Sequence, residues 1–134
     1  MEADMLQDFL DKSNIFAVVG ASNNPEKYGY RVLKDLTAGG YEVYPVNPNA
    51  LEIQGHKSYP DLQSLPVKPD VVDIVVPPAV TEQIVRDCSK HGIEKIWMQP
   101  GSESEVAIAF CEANGMAVIH SMCVMVERRK APDA

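Results

Sequence analysis

Short apolar segments and helical segments alternate along this chain, and the alternation limits the fold to one class. Five apolar segments are predicted strands, and most of the residues between them carry apolar side chains at helical spacing. The predicted strands are residues 15–19, 41–46, 71–76, 95–98 and 116–119. The third is nearly all β-branched, which is typical of parallel strands buried on both faces. We therefore predict an α/β fold, a Rossmann-like three-layer arrangement in which helices cover both faces of a five-stranded, mainly parallel sheet.

Capping residues and glycines mark the ends of the predicted helices. Helices are predicted over residues 4–12, 27–38 and 120–130, and two others end at His91-Gly92 and Asn114-Gly115. Residues 102–105, Ser-Glu-Ser-Glu, are a capping box that begins the second of these two. A chain of 134 residues builds one core, so we expect a single domain over residues 1–134.

The charge and the cysteines argue against several classes of protein. The formal net charge of −7 disfavours binding to nucleic acid and to anionic membranes. No apolar run approaches the roughly 20 residues that span a bilayer, and the first residues lack the features of a secretory signal, so a cytoplasmic location is expected. Cys88, Cys111 and Cys123 are widely spaced, which predicts neither a disulfide framework nor a metal site. Cys88 and Cys111 fall on apolar helix faces, where we expect buried thiols.

The residues after the first predicted strand favour a phosphate site. Gly20 follows the strand directly, and the small residues after it leave the backbone accessible to a ligand. The helix over residues 27–38 comes next, and the first backbone N–H groups of a helix lack partners and carry partial positive charge. Lys27 and Arg31 lie one helical turn apart near that end. The candidate phosphate-binding residues are Gly20, Ala21, Ser22, Asn23, Lys27 and Arg31.

The loops after the first four strands are expected to meet in one cleft. Right-handed crossovers place the carboxyl ends of parallel strands along one edge of the sheet. The loops at that edge contain Ser22, Asn47, Pro77 and Gln99. These residues are distant in the sequence, so their convergence is typical of a binding site in an open α/β sheet.

The two common nucleotide-binding fingerprints are absent from the sequence. The dinucleotide motif needs three glycines, and Ser22 and Pro25 stand where the second and third would be. Asn47 and Pro48 follow the second strand, where an acidic residue would hold a ribose hydroxyl. No Gly-Lys-Ser or Gly-Lys-Thr sequence of a Walker loop occurs. A bound NAD as hydride carrier is therefore disfavoured.

A set of short motifs, in order and at characteristic spacing, connects this chain to a known family. The motifs are Gly20-Ala21-Ser22 with Pro25, Lys27 and Gly29, then Gly40-Tyr41, Pro45-Val46-Asn47-Pro48, Val76-Pro77, Gln99-Pro100-Gly101 and Cys123. Together they resemble the stand-alone coenzyme A-binding domain family, which is similar to the amino-terminal domain of the succinyl-CoA synthetase α subunit. The resemblance extends from about residue 14 to residue 128.

The resemblance implies a site for coenzyme A or an acyl-CoA. By it, residues 20–23 cradle phosphate, and Lys27 and Arg31 supply charge. Asn47 and Pro48 border the adenosine, Val76 and Pro77 lie on its opposite side, and Gln99 and Gly101 line the pantetheine path. The synthetase carries a phosphorylated histidine in a further domain that we do not expect in this chain, so ligase activity is not carried over. We expect a non-catalytic carrier, sensor or partner module, and the sequence leaves open whether it forms a homodimer or binds another protein.

Other residues are candidates for catalysis or for a redox role. His120, Ser121 and Cys123 form a cluster that resembles a nucleophile with a base. A nucleotide-dependent oxidoreductase or acyl-transfer enzyme is therefore one alternative, and an NAD(H)-sensing regulator on the same fold is another. Cys123 is also a candidate for a mixed disulfide with coenzyme A. His91 is expected to cap a helix, and Asp73 is expected to accept hydrogen bonds in a structural role.

Overall fold

The computed structural model describes residues 2–130 and confirms the parallel α/β architecture. In chain order the strands are β1 (Ile15–Val19), β2 (Glu42–Val46), β3 (Glu52–Ile53), β4 (His56–Lys57), β5 (Val71–Ile74), β6 (Lys95–Met98) and β7 (Ala117–His120). Five of them form the main sheet in the order β2-β1-β5-β6-β7, and every neighbouring pair is parallel. β3 and β4 form a separate antiparallel hairpin between the second and third predicted strands.

Helices cover both faces of the main sheet. They are α1 (Glu2–Phe9), α2 (Tyr28–Ala38), α3 (Pro78–Lys90), α4 (Glu105–Ala113) and α5 (Val124–Lys130). Successive residues of a strand point to opposite faces, so Phe16 and Val18 of β1 join the core under α1, α2 and α5, while Ala17 and Val19 join the core under α3 and α4. Within residues 2–130 no helix has the length and apolar character needed to cross a membrane.

The core under α1, α2 and α5 contains the one tryptophan of the sequence, Trp97 of β6. Its side chain is fully buried, and its ring meets that of Phe9 edge-on, with 6.1 Å between the centroids. The indole Nε1 donates a hydrogen bond to the carbonyl oxygen of Met122 at 2.8 Å. This bond satisfies the buried N–H group and ties the segment before α5 to the sheet.

Several element ends differ from the sequence-based prediction. α4 begins at Glu105, and its N-cap is Ser104, whose Oγ accepts a hydrogen bond from the Ala107 amide at 3.2 Å. The sequence analysis predicted that the helix starts from a capping box at Ser102, and the observed cap lies two residues further along the chain. α5 begins at Val124 instead of residue 120, because β7 extends to His120 and Ser121 has a φ of 63°, which a helix does not accommodate.

Candidate functional site

A cavity of about 670 Å³ opens at the carboxyl ends of β1, β2 and β5. The chain crosses from β1 to β2 on one side and later reaches β5 on the other side of β1, so the strand order reverses at this point. Ligands of open parallel sheets bind at such reversals. The cavity is lined by residues 19–22, 27–29, 46–49, 60–62 and 75–77, and by Val80, Ile84 and Asp87.

Two glycines bring the end of β1 and the start of α2 into backbone contact. A Cβ atom on Gly29 would lie 2.0 Å from the carbonyl oxygen of Gly20. A Cβ atom on Gly20 would lie 2.3 Å from the carbonyl oxygen of Val75, and Gly20 has a φ of +99°, a conformation that other residues rarely adopt. The sequence analysis explained Gly20 by the approach of a ligand. The structure adds a second reason, which is close packing against the segment after β5.

The start of α2 presents positive charge to the cavity. Lys27 is the N-cap residue and makes no side-chain capping bond, and the first turn of the helix contains no acidic residue. Lys27, Tyr28 and Gly29 all line the cavity. The partial positive charge of the helix end and the Lys27 ammonium therefore act on the same space, which suits an anionic group such as phosphate.

The loop between β1 and α2 is held in place by the β3–β4 hairpin. The Asn23 side chain donates to the carbonyl oxygen of Glu52 at 2.8 Å and accepts from the Gln54 amide at 2.9 Å. The Gln54 side chain in turn donates to the carbonyl oxygens of Ser22 and Tyr30, at 3.3 Å and 2.9 Å. Asn23 thus orders the loop and does not line the cavity, whereas Gly20, Ala21 and Ser22 do. The sequence analysis missed Gln54. Gln54 and Gly55 form the two-residue turn of the hairpin, and both have positive φ. Gly55 was the signal in the sequence that could have indicated this turn.

The segment after β2 forms the wall that faces α3. The Asn47 side chain donates to the carbonyl oxygen of Ala21 at 2.9 Å and accepts from the Asn49 amide at 2.8 Å, so it joins two loops of the cavity. Pro48 lies beside it, and Val76 and Pro77 line the cavity after β5. The remaining apolar lining residues are Val46, Pro60, Leu62, Val80 and Ile84. This wall is mostly apolar, as is common in sites for flat organic groups.

Four of the predicted site residues do not line the cavity, and Asn23, described above, is one of them. Arg31 is exposed, and its guanidinium donates to the carbonyl oxygen of Glu26 at 3.1 Å. Gly101 is exposed in the loop after β6, where its amide donates to a carboxylate oxygen of Glu103 at 2.6 Å. Gln99 is fully buried. The sequence analysis placed Gln99 at the shared sheet edge and Arg31 near the helix end, and the family resemblance implied Gly101. None of these signals fixes where a side chain points.

Polar side chains behind Tyr28 connect the cavity wall to the centre of the sheet. The Tyr28 hydroxyl donates to Oε1 of Gln99 at 3.0 Å, and its oxygen lies 2.9 Å from Sγ of Cys123. The same Oε1 accepts from the Val124 amide at 3.1 Å, and Nε2 of Gln99 donates to Oδ1 of Asp73 at 2.6 Å. Burial and the hydrogen bond with Cys123 raise the pKa of Tyr28, so the phenol stays protonated. The sequence analysis did not select Tyr28 as a site residue, although it opens the helix that follows the phosphate loop.

Asp73 is a fully buried carboxyl group in the middle of β5. Its neighbours in the sheet are Val18 of β1 and Trp97 of β6, and its Oδ2 has no hydrogen-bond partner among residues 2–130. Burial raises the pKa of Asp73 from 3.8 to about 7, and the hydrogen bond from Gln99 opposes that shift. The folded protein therefore holds this proton more tightly than the unfolded chain does. Its contribution to the free energy of unfolding is fully present below pH 3.8 and is lost as the pH rises to about 7.

The histidines and the other cysteines are separate from the cavity lining. Nδ1 of His120 lies 3.0 Å from Oγ of Ser121, whereas Sγ of Cys123 lies within hydrogen-bond distance of the Tyr28 hydroxyl. The imidazole and the thiol of the predicted cluster therefore have different partners. Cys88 and Cys111 are buried, as expected, and burial raises the pKa of both thiols, that of Cys111 to about 11. His91 is the C-cap residue of α3, as expected from the Gly92 that follows it.

Residues 14–129 match the family model of the CoA binding domain. This match agrees with the family resemblance seen in the sequence. The α subunit of the ADP-forming acetate–CoA ligase II of Pyrococcus furiosus is 33% identical over an alignment 131 residues long, which covers 90% of this chain but only 28% of that subunit. The chain thus spans about a quarter of the length of this ligase subunit.

Solved structures of similar length share the whole fold. A conserved hypothetical protein from Pyrococcus furiosus is 46% identical, with a TM-score of 0.82, and the match covers 85% of this chain and 98% of that one. A hypothetical protein from Pyrococcus horikoshii is 33% identical, with a TM-score of 0.89, over 97% of this chain and 91% of that one. The fold therefore also occurs in chains that are about as long as this one.

Proposed function

This chain belongs to the CoA-binding domain family, and from that membership we propose that it binds coenzyme A or an acyl-CoA as a non-catalytic carrier, sensor or partner module. The observation that carries the proposal is the position of the cavity. It opens where the strand order reverses, against the start of α2, with Lys27 and the backbone of Gly20 and Gly29 in its lining. Helix amides beside an ammonium group suit the diphosphate of coenzyme A.

The residues divide between the parts of the cofactor. Gly20, Ala21 and Ser22 cradle the diphosphate, and Asn23 holds their loop against the β3–β4 hairpin. Lys27 contacts the diphosphate, and Arg31, one helical turn further on, adds to the positive potential. Asn47 and Pro48 border the adenosine on one side, and Val76 and Pro77 border it on the other.

The pantetheine arm leaves the cavity toward the loop after β6. Gly101 is exposed in that loop, and Gln99 supports the path from behind through its hydrogen bond with Tyr28. This arrangement accounts for a ligand longer than a nucleotide, because the loop after β6 lies at the same sheet edge as the cavity. All residues proposed to contact coenzyme A lie in this domain. We do not propose the ligase reaction of the longer relatives for this chain.

Calorimetry with the purified chain tests the proposal. We expect coenzyme A to bind with a dissociation constant of roughly micromolar or tighter, and ADP, NAD and dephospho-CoA to bind more weakly. Lys27→Gln should weaken coenzyme A binding by about tenfold, because it removes a charge that contacts the diphosphate.

Lys57→Gln is the matched control for that variant. The Lys57 ammonium lies 5.3 Å from the centroid of the Tyr59 ring, and the residue does not line the cavity. Its removal changes the net charge by the same amount and should leave the affinity nearly unchanged. Equal effects of the two variants would mean that Lys27 acts only through net charge, and tighter binding of NAD than of coenzyme A would contradict the proposed ligand.

A further inference from the structure

The side chain of Tyr28, a residue of the cavity lining, is held by a chain of hydrogen bonds that ends at a buried carboxyl group. Its hydroxyl donates to Gln99, and the Gln99 amide donates to Asp73 at 2.6 Å. Asp73 and Gln99 are both fully buried, so water does not compete for these bonds. The chain therefore connects the middle of β5 with the surface that a ligand contacts.

The two ends of the Gln99 amide have different partners, and this fixes its orientation. Oε1 must face the Val124 amide and the Tyr28 hydroxyl, because both are donors. Nε2 must face Asp73, because a carboxylate accepts. A rotation of the amide by half a turn would set Nε2 against the Val124 N–H, so the bond to Asp73 stabilises the orientation that serves Tyr28.

From this geometry we propose that Asp73 is a positioning residue for the ligand site, since through Gln99 its ionisation sets how firmly Tyr28 is held on the cavity wall. The inference rests on the proposed binding of coenzyme A. An ionised carboxylate accepts a stronger hydrogen bond than a neutral carboxyl group does. Acidification therefore loosens the bond from Gln99 and with it the hold on Tyr28.

The groups around the hydrogen bonds that link Tyr28, Gln99 and Asp73 allow Asp73 to titrate in the neutral range. Burial raises the pKa of Asp73 to about 7. The titratable or charged groups nearby are Tyr28 and Arg31 from α2 and Cys123 from the segment before α5. The sheet neighbours of Asp73, which are Val18 and Trp97, do not titrate. Oδ2 has no partner among residues 2–130, so Gln99 is the group that responds when Asp73 changes its charge.

The test compares coenzyme A affinity of the wild type and of Asp73→Asn by calorimetry between about pH 5.5 and about pH 8.5, a range that spans the titration. We expect the two proteins to bind alike at the acidic end and the wild type to bind about fivefold more tightly at the alkaline end, where only it has a charged acceptor. Titration of the cofactor's own phosphate affects both proteins equally. Parallel pH profiles would overturn the inference.

Two further variants cover the case in which Asp73→Asn does not fold. Tyr28→Phe keeps the ring and removes the hydroxyl, so it should lose the same part of the pH dependence. Tyr30→Phe removes a hydroxyl from the same helix at a residue that does not line the cavity, and it should keep the wild-type profile. A wild-type profile in Tyr28→Phe would overturn the inference.

A measurement without ligand separates this inference from the proposed function. The side-chain amide signal of Gln99 in NMR spectra of the free protein should shift with a midpoint near pH 7, where Asp73 titrates. An amide signal that does not move with pH would overturn the role of Asp73. Absence of coenzyme A binding at every pH would instead overturn the proposed function, and the amide titration would still decide the present inference.

Discussion

Gly29 shows how one residue type is required by a contact that no local pattern reveals. The residue lies in the first turn of α2 and does not need positive φ, so helix propensity alone would favour alanine there by about 1 kcal/mol. A Cβ atom would, however, lie 2.0 Å from the carbonyl oxygen of Gly20, and neither backbone segment has room to yield. The contact sets the distance between β1 and α2, and hence the shape of the cavity wall.

Gly29→Ala should therefore destabilise the protein, although alanine has a higher helix propensity than glycine. We expect a loss of roughly 2–4 kcal/mol in the free energy of unfolding, measured by urea denaturation, because helix and strand must separate to admit a methyl group. Gly115→Ala is the control, since Gly115 has a φ of +72° but open space around it. Its cost should be about 1 kcal/mol, from the backbone conformation alone. A Gly29→Ala protein as stable as the wild type would contradict the described contact.

Most elements could be predicted from the sequence because the local signals and the tertiary packing agree. β6 and the end of α2 follow directly from an apolar run and from the two glycines after Ala38. The start of α4 could not be fixed, because Ser102 and Ser104 are both good caps and the choice depends on tertiary contacts. Ser102 bonds the carbonyl oxygens of Ile74 and Gln99, at 2.9 Å and 2.7 Å, which leaves the cap to Ser104.

Ser104→Ala tests this assignment of the cap. We expect a loss of about 1 kcal/mol in the free energy of unfolding, because the Ala107 amide loses its acceptor. Hydrogen exchange at the Ala107 amide should become faster than that at the other α4 amides. Ser102→Ala should lower the overall stability without selectively exposing Ala107. Selective exchange at Ala107 in the Ser102 variant would return the cap to the predicted position.

At the scale of the whole molecule, the candidate site depends on the sheet order. The sequence analysis predicted Ser22, Asn47 and Pro77 at one edge of the sheet, and in the structure all three line one cavity. It could not place Gln99 or Arg31, because an edge position does not specify whether a side chain points to solvent, cavity or core. Gln99 is buried since Asp73 and Val124 supply its partners, and both lie far from it in the sequence.

Coenzyme A should stabilise the whole fold, because the proposed site joins the ends of three strands to one helix. A ligand that binds only the folded state adds about 2.7 kcal/mol when its concentration is about one hundred times the dissociation constant. We expect the melting temperature in calorimetric scans to rise with the logarithm of coenzyme A concentration, and to rise less with ADP. An equal rise with NAD, or none with coenzyme A, would contradict the assignment of the cavity.

The backbone contact between Gly20 and Gly29 also restricts how this scaffold can diversify. At the two glycines only main-chain atoms face the cavity, so mutation of either glycine removes stability before it alters selectivity. New ligand preferences can instead arise from exchanges at Pro48, Pro60 or Val80, which belong to the apolar part of the lining. Library design for altered recognition should hold the glycines constant and vary those three positions.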